Sequence, residues 1–546
     1  MRKTALTFLL TAIGSLAVHA QTAYDAWMFS ENNYEGTARS VAMGNAFTAL
    51  GGDLGAVSIN PAGSAVAGYS QIAFTPALDI SRTVAKGVPY TGSSDPYFQR
   101  EIRSNMTKAR IPNTGMTFHF DTGRTSGLKS MTIGFVANMT NSWNEDLYTS
   151  GTNSTTCFSG AAAFDATETI KEYNANRPAS EPEYTFRDFI AENAYDYMPW
   201  KDVLGYQSGM FTEIDSDGRK FIGASQPYIG GNVIQEPVNQ TFGRSISGNK
   251  YEYVFNFGVN ISDFVYIGAN LGVTSLTYDY NQYFREEAIE PELFENVFVD
   301  SENNTYTTYF RELMYKYTYS AEGSGVFGKF GIIVTPGAGL RFGAAISTPT
   351  ANTIEEEWKE SGWTSFTDSK FDASAESPRG EFEYDFNSPF RANFGMAYTI
   401  GRIALISADY EVANYGRMRF KSKDIEMRGF FEELNDEIKE TYGTAHYLRV
   451  GAEVKPVPEL AIRAGYNLST SANRTAPDVL DHNISFGLGY SSKGSFFADL
   501  ACRHRFAADE YIYPYSDYRA DAGILSPEIL SRHSSWKVLL TLGWRF

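Results

Sequence analysis

The chain of 546 residues carries 46 Lys and Arg against 64 Asp and Glu, a formal charge of −18, which repels nucleic acid and excludes DNA and RNA as partners. Aromatics make up 15% of it, with 35 Tyr and 39 Phe, while mean hydropathy is −0.30. That balance suits a membrane barrel with aromatic girdles and polar loops.

Met1-Arg2-Lys3, an apolar run over Thr4–Ile13 and small residues around Val18-His19-Ala20 predict a secretory leader over 1–20, cleaved before Gln21. Loss of Arg2 and Lys3 with it takes the charge to −20. The apolar run is shorter than the ~20 residues of a spanning helix. No later window is long and apolar enough, so a membrane-embedded chain must be a closed barrel.

Residues 21–68 do not alternate. Thr37–Leu50 is rich in small residues, Gly51-Gly52-Asp53 interrupts it, and Leu54–Gly63 follows; Gly and Pro cut such a stretch into short helical pieces fit for close packing. Tyr69–Ile80, Asn113–Asp121 and Met131–Thr140 read as strands. Residues 143–247 are polar, Tyr-rich and poorly periodic, and are expected to form a long external loop. From about residue 245 the period is two. Tyr251, Tyr253, Phe255, Phe257, Val259 and Ile261 share one face; Glu252, Asn256, Gly258 and Asn260 share the other, with Val254 out of place. Hairpins recur at 327–346, 390–412, 446–468 and 484–506 around short polar turns, separated by long connections at 281–304, 349–388, 420–442 and 507–533. Short turns on one side and long loops on the other mark an outer-membrane barrel. Within the connection over 420–442, Ile425, Phe430, Phe431, Leu434 and Ile438 recur at helical spacing, predicting a capping helix. The last run puts Trp536, Val538, Leu540, Leu542, Trp544 and Phe546 on a lipid face and Lys537, Thr541, Gly543 and Arg545 on the lumen face, with Leu539 the one apolar intruder. The count from residue 69 is about fourteen strands. The fold class is therefore all-β: a transmembrane antiparallel barrel over 69–546, with a small helical N-terminal piece over 21–68.

The Gly36–Leu50 segment, Asn60-Pro61-Ala62-Gly63, Gly328–Thr350 and Ser407–Tyr415 resemble the FadL/TodX family of outer-membrane channels for long-chain fatty acids and aromatic hydrocarbons. The resemblance implies that 21–68 is a hatch plugging the lumen, with Asn60, Pro61 and Ala62 as its motif. It implies a greasy lumenal pocket fed from the external loops, and a kink in the third strand that lets ligand leave sideways into the bilayer. Gly134 is the candidate for that kink, although Met131–Thr140 holds no proline. It also implies that Trp544 and Phe546 end the chain in the signal read by the barrel-assembly machinery, in the outer membrane of a Gram-negative bacterium. The partners are then a hydrophobic small molecule and outer-membrane lipid, with no cofactor.

Several motifs mimic chemistry. Gly323-Ser324-Gly325-Val326-Phe327-Gly328 fits G-x-G-x-x-G, but Phe330 replaces the Ser or Thr of a phosphate loop and strand follows instead of helix; glycines lining a lumen explain it. Asp215-Ser216-Asp217-Gly218 opens like a calcium loop without its closing Glu. The mature histidines, His119, His446, His482, His504 and His533, form no H-E-x-x-H, and no G-x-S-x-G occurs. Cys157 and Cys502 are expected to stay unbridged. The expectation is a channel for passive uptake of hydrophobic compounds and not an enzyme; a porin for polar solutes, a lipid hydrolase and a surface binding protein are the alternatives.

Overall fold

Alternation between an apolar outer face and a polar or glycine-rich inner face leaves each strand only one way to sit in a closed wall. The computed structural model describes residues 22–546 except 89–99, 176–182, 192–193, 215–217, 230–231, 300–304, 422–426 and 523. The leader over 1–20, Asp215-Ser216-Asp217 and Ile425 lie outside the described residues.

Fourteen antiparallel strands make the wall: β1 Gln71–Val88, β2 Ile102–Asp121, β3 Leu128–Asn153, β4 Val238–Ile261, β5 Val265–Ala288, β6 Thr305–Gly337, β7 Leu340–Ser347 resuming as Ala351–Phe366, β8 Gly380–Asn387 resuming as Arg391–Ile400, β9 Ala404–Asn414, β10 Thr444–Val457, β11 Leu460–Thr470, β12 Leu480–Ser491, β13 Phe496–Ile512 and β14 Glu528–Arg545. Each pairs with the next, and β1 pairs with β14 from Gln71↔Arg545 to Val88↔Glu528, which closes the ring. Ser70 and Phe546 exchange backbone hydrogen bonds of 3.1 and 3.0 Å at the seam. The Phe546 ring lies on the lipid side, edge-on to Phe118 at 6.3 Å.

The apolar belt is shorter than the strands. On β6, Val326, Phe330 and Ile332 are exposed and apolar, whereas Arg311, Lys316 and Glu322 are exposed and charged. A membrane-crossing strand needs about 9–11 residues; β6 has 33, so the sheet rises far above the belt on the loop side. This corrects the loop boundaries. Residues 143–153 and 238–247 belong to β3 and β4, 281–288 to β5, 351–366 and 380–387 to β7 and β8, and 507–512 and 528–533 to β13 and β14. Above the belt both faces of the sheet meet water or polar cap, so the hydrophobic alternation fades where the strands continue.

The segment read as a loop over 143–247 is instead a folded cap between β3 and β4. It contains helix Phe158–Ala175, short helices Phe186–Ala191 and Trp200–Gln207, and a ribbon pairing Phe211–Glu213 with Phe221–Gly223. Phe158 stacks on Phe284 at 4.9 Å, and Tyr515 meets Phe284 edge-on at 5.5 Å. Glu286 of β5 accepts from the Phe158 backbone N–H (2.7 Å), Gln240 Nε2 (2.8 Å) and the Ser225 hydroxyl. The expected helix in 420–442 forms over Arg428–Thr441, burying Phe431, Leu434 and Ile438. Cys157, buried in the cap, and Cys502, in β13, are both free.

Candidate functional site

The lumen is filled by residues 22–68. Helix α1 (Ala23–Ser30) opens with a capping box between Thr22 and Asp25; helix α2 (Ala38–Ala42) follows, then single 3₁₀ turns at Gly55–Ser58 and Pro61–Val66. Glycines on the inner face let this segment press against the wall. Gly258 pairs with Gly268, Gly268 with Gly331, Gly343 with Gly395, and Gly451 with Gly465. A Cβ at Gly258 would meet Ser64 and Ala65; at Gly268 and Gly331, Asn60 to Ala62; at Gly343 and Gly395, Thr48 and Ala49; at Gly451 and Gly465, Met43 and Gly44. The two residues that broke the alternation are explained by the same contact. Val254 packs with Leu54 and Val57, and Leu539 with Ala38, Val41 and Ala42.

Asn60 joins segment and wall. Its Nδ2 donates to the carbonyls of Thr48 (2.6 Å) and Ile332 (3.2 Å), and its Oδ1 accepts from Ala62 N (3.1 Å). Pro61 starts the 3₁₀ turn, where a missing N–H costs nothing. Ala62 is fully buried, as the small side chain at that point of contact requires. Lumen charges complete the attachment. Arg391 donates to Ser30 O (2.7 Å), Lys250 to Phe29 O (2.9 Å), Arg341 to Leu50 O (2.8 Å), and Thr48 N to Asp409 (2.7 Å). The wall also has ion pairs of its own: Glu411 with Arg391 (2.8 Å) and Arg449 (2.6 Å), and Arg463 with Glu453 (2.6 Å) and Asp499 (2.5 Å).

The wall is incomplete between β2 and β3. Their ladder runs only from Asp121↔Ser130 to Asn113↔Asn138, though both strands continue upward. At Gly134 the ladder is intact on both sides, to Thr117 and to Asn256. The irregularity in β3 comes later, where its register against β4 shifts between Met139 and Asn141. The residue at the parting is Pro112 of β2, which has no N–H to give β3. It sits opposite Pro76 in a bulge of the β1–β2 pair, between Thr75↔Asn113 and Ala77↔Arg110. The freed carbonyls of β3 are taken by the lumen segment: Asn33 N donates to Thr140 O (2.6 Å) and Glu35 N to Met139 O (3.0 Å). Arg110 reaches Trp143 O (2.8 Å) and Tyr251 Oη reaches Ile111 O (3.2 Å) across the parting. On the outside, Phe74, Leu78, Ile111 and Leu540 border a hollow there, all exposed and apolar.

A further space adjoins this gap. Next to Asn33 and Glu35 is a polar cavity bordered by Asn45, Asn141, Asn144 and Lys537; the greasy pocket implied for the lumen is not at this level. Above α1 and under the cap the lining turns aromatic, with Trp27, Trp143, Trp200, Tyr280 and Tyr317 all partly buried around one cluster.

Where the cap meets the wall, Asp202 of the helix Trp200–Gln207 and Glu360 of β7 approach one another. Burial, helped by a nearby acid, raises each carboxyl to about 7, although Thr169, which donates to Asp202 at 2.7 Å, Tyr315 beside Glu360, and Lys201 near both pull the other way. Below about pH 7 both hold protons in the seated cap, and they lose them near their ordinary values when it detaches. Cap stability is therefore expected to fall as pH rises from about 4 to about 7, then to level off. Amide exchange in Phe158–Ala175 followed across that window is the check; equal protection at both ends would refute it.

The structure places Asn60, Pro61 and Ala62 in the lumen segment against the wall; the only local trace of the parting in the sequence is Ile111-Pro112 inside an otherwise good strand. His504 stacks on Trp536 at 4.2 Å. Gly323, Gly325 and Phe327 lie in the unbroken strand β6, so G-x-G-x-x-G here is wall.

Neither a family model nor a curated protein matches the sequence. Among solved structures, the toluene transporter TodX of P. putida matches with a TM-score of 0.51 at 14% identity, covering 95% of this chain and 99% of that one. A Pseudomonas aeruginosa FadL homologue matches at 0.49 and 11% identity over 94% and 98%. The Ralstonia pickettii toluene transporter TbuX matches at 0.46 and 12% identity over 95% and 100%. At such identities the likeness is one of fold.

Proposed function

We propose that this chain, which has the FadL/TodX-type fold of an outer-membrane β-barrel, is a passive outer-membrane channel for hydrophobic compounds, in which residues 21–68 act as a hatch. The observation that carries this reading is the parting between β2 and β3. A straight path down the lumen is filled, whereas the parting leads from the interior to an apolar hollow in the lipid-facing belt. A hydrophobic molecule gains by entering lipid instead of water, so the sideways route is downhill and needs no nucleotide or bond-making step. In this reading the cap admits ligand, the aromatic space above α1 holds it, and a shift of Asn32–Glu35 away from Met139 and Thr140 clears the exit. Toluene, which TodX transports, is the kind of small apolar molecule such a route suits; the substrate here is proposed only as a class. A porin would need a water-filled lumen, and the packed segment around Asn60 argues against it.

Bridging the parting tests the route. Cysteines placed at Ala109 of β2 and Asn141 of β3, in a Cys157→Ser, Cys502→Ser background, are to be joined by a bifunctional thiol reagent. Uptake of a labelled hydrophobic probe is expected to drop by roughly tenfold on bridging and to persist in the unbridged variant. Uptake that continues unchanged after bridging would show that ligand does not leave there.

A further inference from the structure

Four of the seven tryptophans converge above α1 from four separate elements: Trp27 of α1, Trp143 of β3, Trp200 of the cap and Trp358 of β7. Trp27 stacks on Tyr442 at 6.4 Å, Trp143 meets Tyr278 edge-on at 5.4 Å, and Trp200 lies 5.7 Å from Trp358. Solvent reaches several of these rings inside the wall. Tyr24, also on α1, stays 37% exposed within the wall, and Trp27, Trp143 and Trp200 are only partly buried.

Carboxyls are set among these rings. Asp25 of α1 accepts from Thr22 N (2.8 Å) and Oγ1 (2.7 Å), and Glu356 of β7 from the Tyr384 hydroxyl (2.5 Å). Glu360 follows one inward position beyond Trp358, so the inner face of β7 reads Glu356, Trp358, Glu360. Among the described residues no Lys, Arg or His lies within 4.0 Å of Asp25 or Glu360. Lys201, the cation nearest in influence to Glu360, is paired with Asp165 at 3.1 Å. One carboxyl oxygen in the cluster, Glu360 Oε2, has no hydrogen-bond partner, on a residue only 9% exposed.

An apolar ligand would match the rings and leave Asp25 and Glu360 without a counter-charge. A buried carboxyl wants a partner that brings charge or donors, and indole and phenol faces attract cations. We propose that this chamber binds an organic cation, an apolar or aromatic body bearing an ammonium group, with the charge set against Asp25, Glu356 and Glu360 and the body lying on the indoles. The proposal rests on the hydrophobic-channel reading and narrows its substrate class. The acidic surface, at −18 overall, favours the approach of such a ligand.

Quenching of tryptophan fluorescence tests it, using the full chain in dodecyl maltoside micelles. The probes are 3-phenylpropyl-trimethylammonium and its neutral isostere, in which a tert-butyl carbon replaces the nitrogen. The cation is expected to bind roughly tenfold more tightly than the isostere, and Glu360→Gln to remove most of that preference while the isostere binds as before. Trp200→Leu, which alters the cap and leaves the wall intact, is expected to weaken the cation more than the isostere and serves as the second reading if Glu360→Gln does not fold. Equal affinities for the two probes would overturn the cation and leave the hydrophobic reading standing. A cation preference that survives both substitutions would overturn this chamber as its site. Binding of neither probe would overturn the chamber as a ligand site and the hydrophobic reading with it.

Discussion

Deleting residues 22–64 is expected to convert the barrel into an open pore, raising its conductance in a planar bilayer at least roughly tenfold. The wall should survive the loss. Its ladder is continuous around the ring apart from the parting, and the seam between β1 and β14 involves no residue before Ser70. The inner charges would lose Ser30 O, Leu50 O and Thr48 N, but Glu411 would keep Arg391 and Arg449, and Arg463 would keep Glu453 and Asp499. Those pairs would then line a wet channel, where each is worth less than when buried. A closed channel after deletion would mean that wall and cap seal the barrel without the segment, and the hatch would have to be abandoned.

A second large effect is expected from one methyl-bearing side chain. Gly331→Val places a Cβ on the Asn60 amide, and Gly268→Val places one on the backbone of Pro61 and Ala62. Overpacking a filled interior costs about 1–3 kcal/mol where neighbours can adjust. Here the neighbour is main chain, or an amide fixed by three hydrogen bonds. The strand cannot move outward without breaking its ladder, so the segment gives way: both variants should leak ions as the deletion does. Gly328→Val is the control. It lies on the same strand as Gly331, and its Cβ would approach nothing nearer than Thr348 Cγ2 at 3.8 Å. Gly331→Val and Gly328→Val barrels of equal conductance would show that the inner glycines are not spaced for the segment.

How far the sequence could be read followed where lipid and water lie. Within the belt one face must be apolar, so Tyr253, Phe255 and Phe257, or Leu540, Leu542 and Trp544, announce strands directly. Above the belt that constraint lapses, and β6 between Thr305 and Glu322 alternates polar with polar and aromatic; hence the connections were drawn too long and the strands too short. The cap was missed for a related reason. Helix Phe158–Ala175 buries small residues such as Ala161, Ala162 and Ala166 within the cap, and alanines give little periodic contrast. Val254 and Leu539 were visible as errors of alternation and could have been taken as marks of an apolar partner in the lumen. The parting was beyond local reading. A missing ladder is a relation between two strands: Met131–Thr140 of β3 holds no proline, and the one at the parting, Pro112, belongs to β2.

The seam has a consequence for biogenesis. The seam joins β1 to β14, the first and the last strands of the wall, so the ring cannot shut until all the strands between them have been delivered. The segment that fills it lies ahead of β1 in the chain and is held by eight or more strands drawn from the whole length of the sequence. A wall that curls around this segment and shuts last asks for no threading through a finished ring, which folded chains avoid. On that route the residues between Ala23 and Val66 would serve as the core on which the sheet bends, and a chain lacking them should close more slowly even where the finished barrels are equally stable.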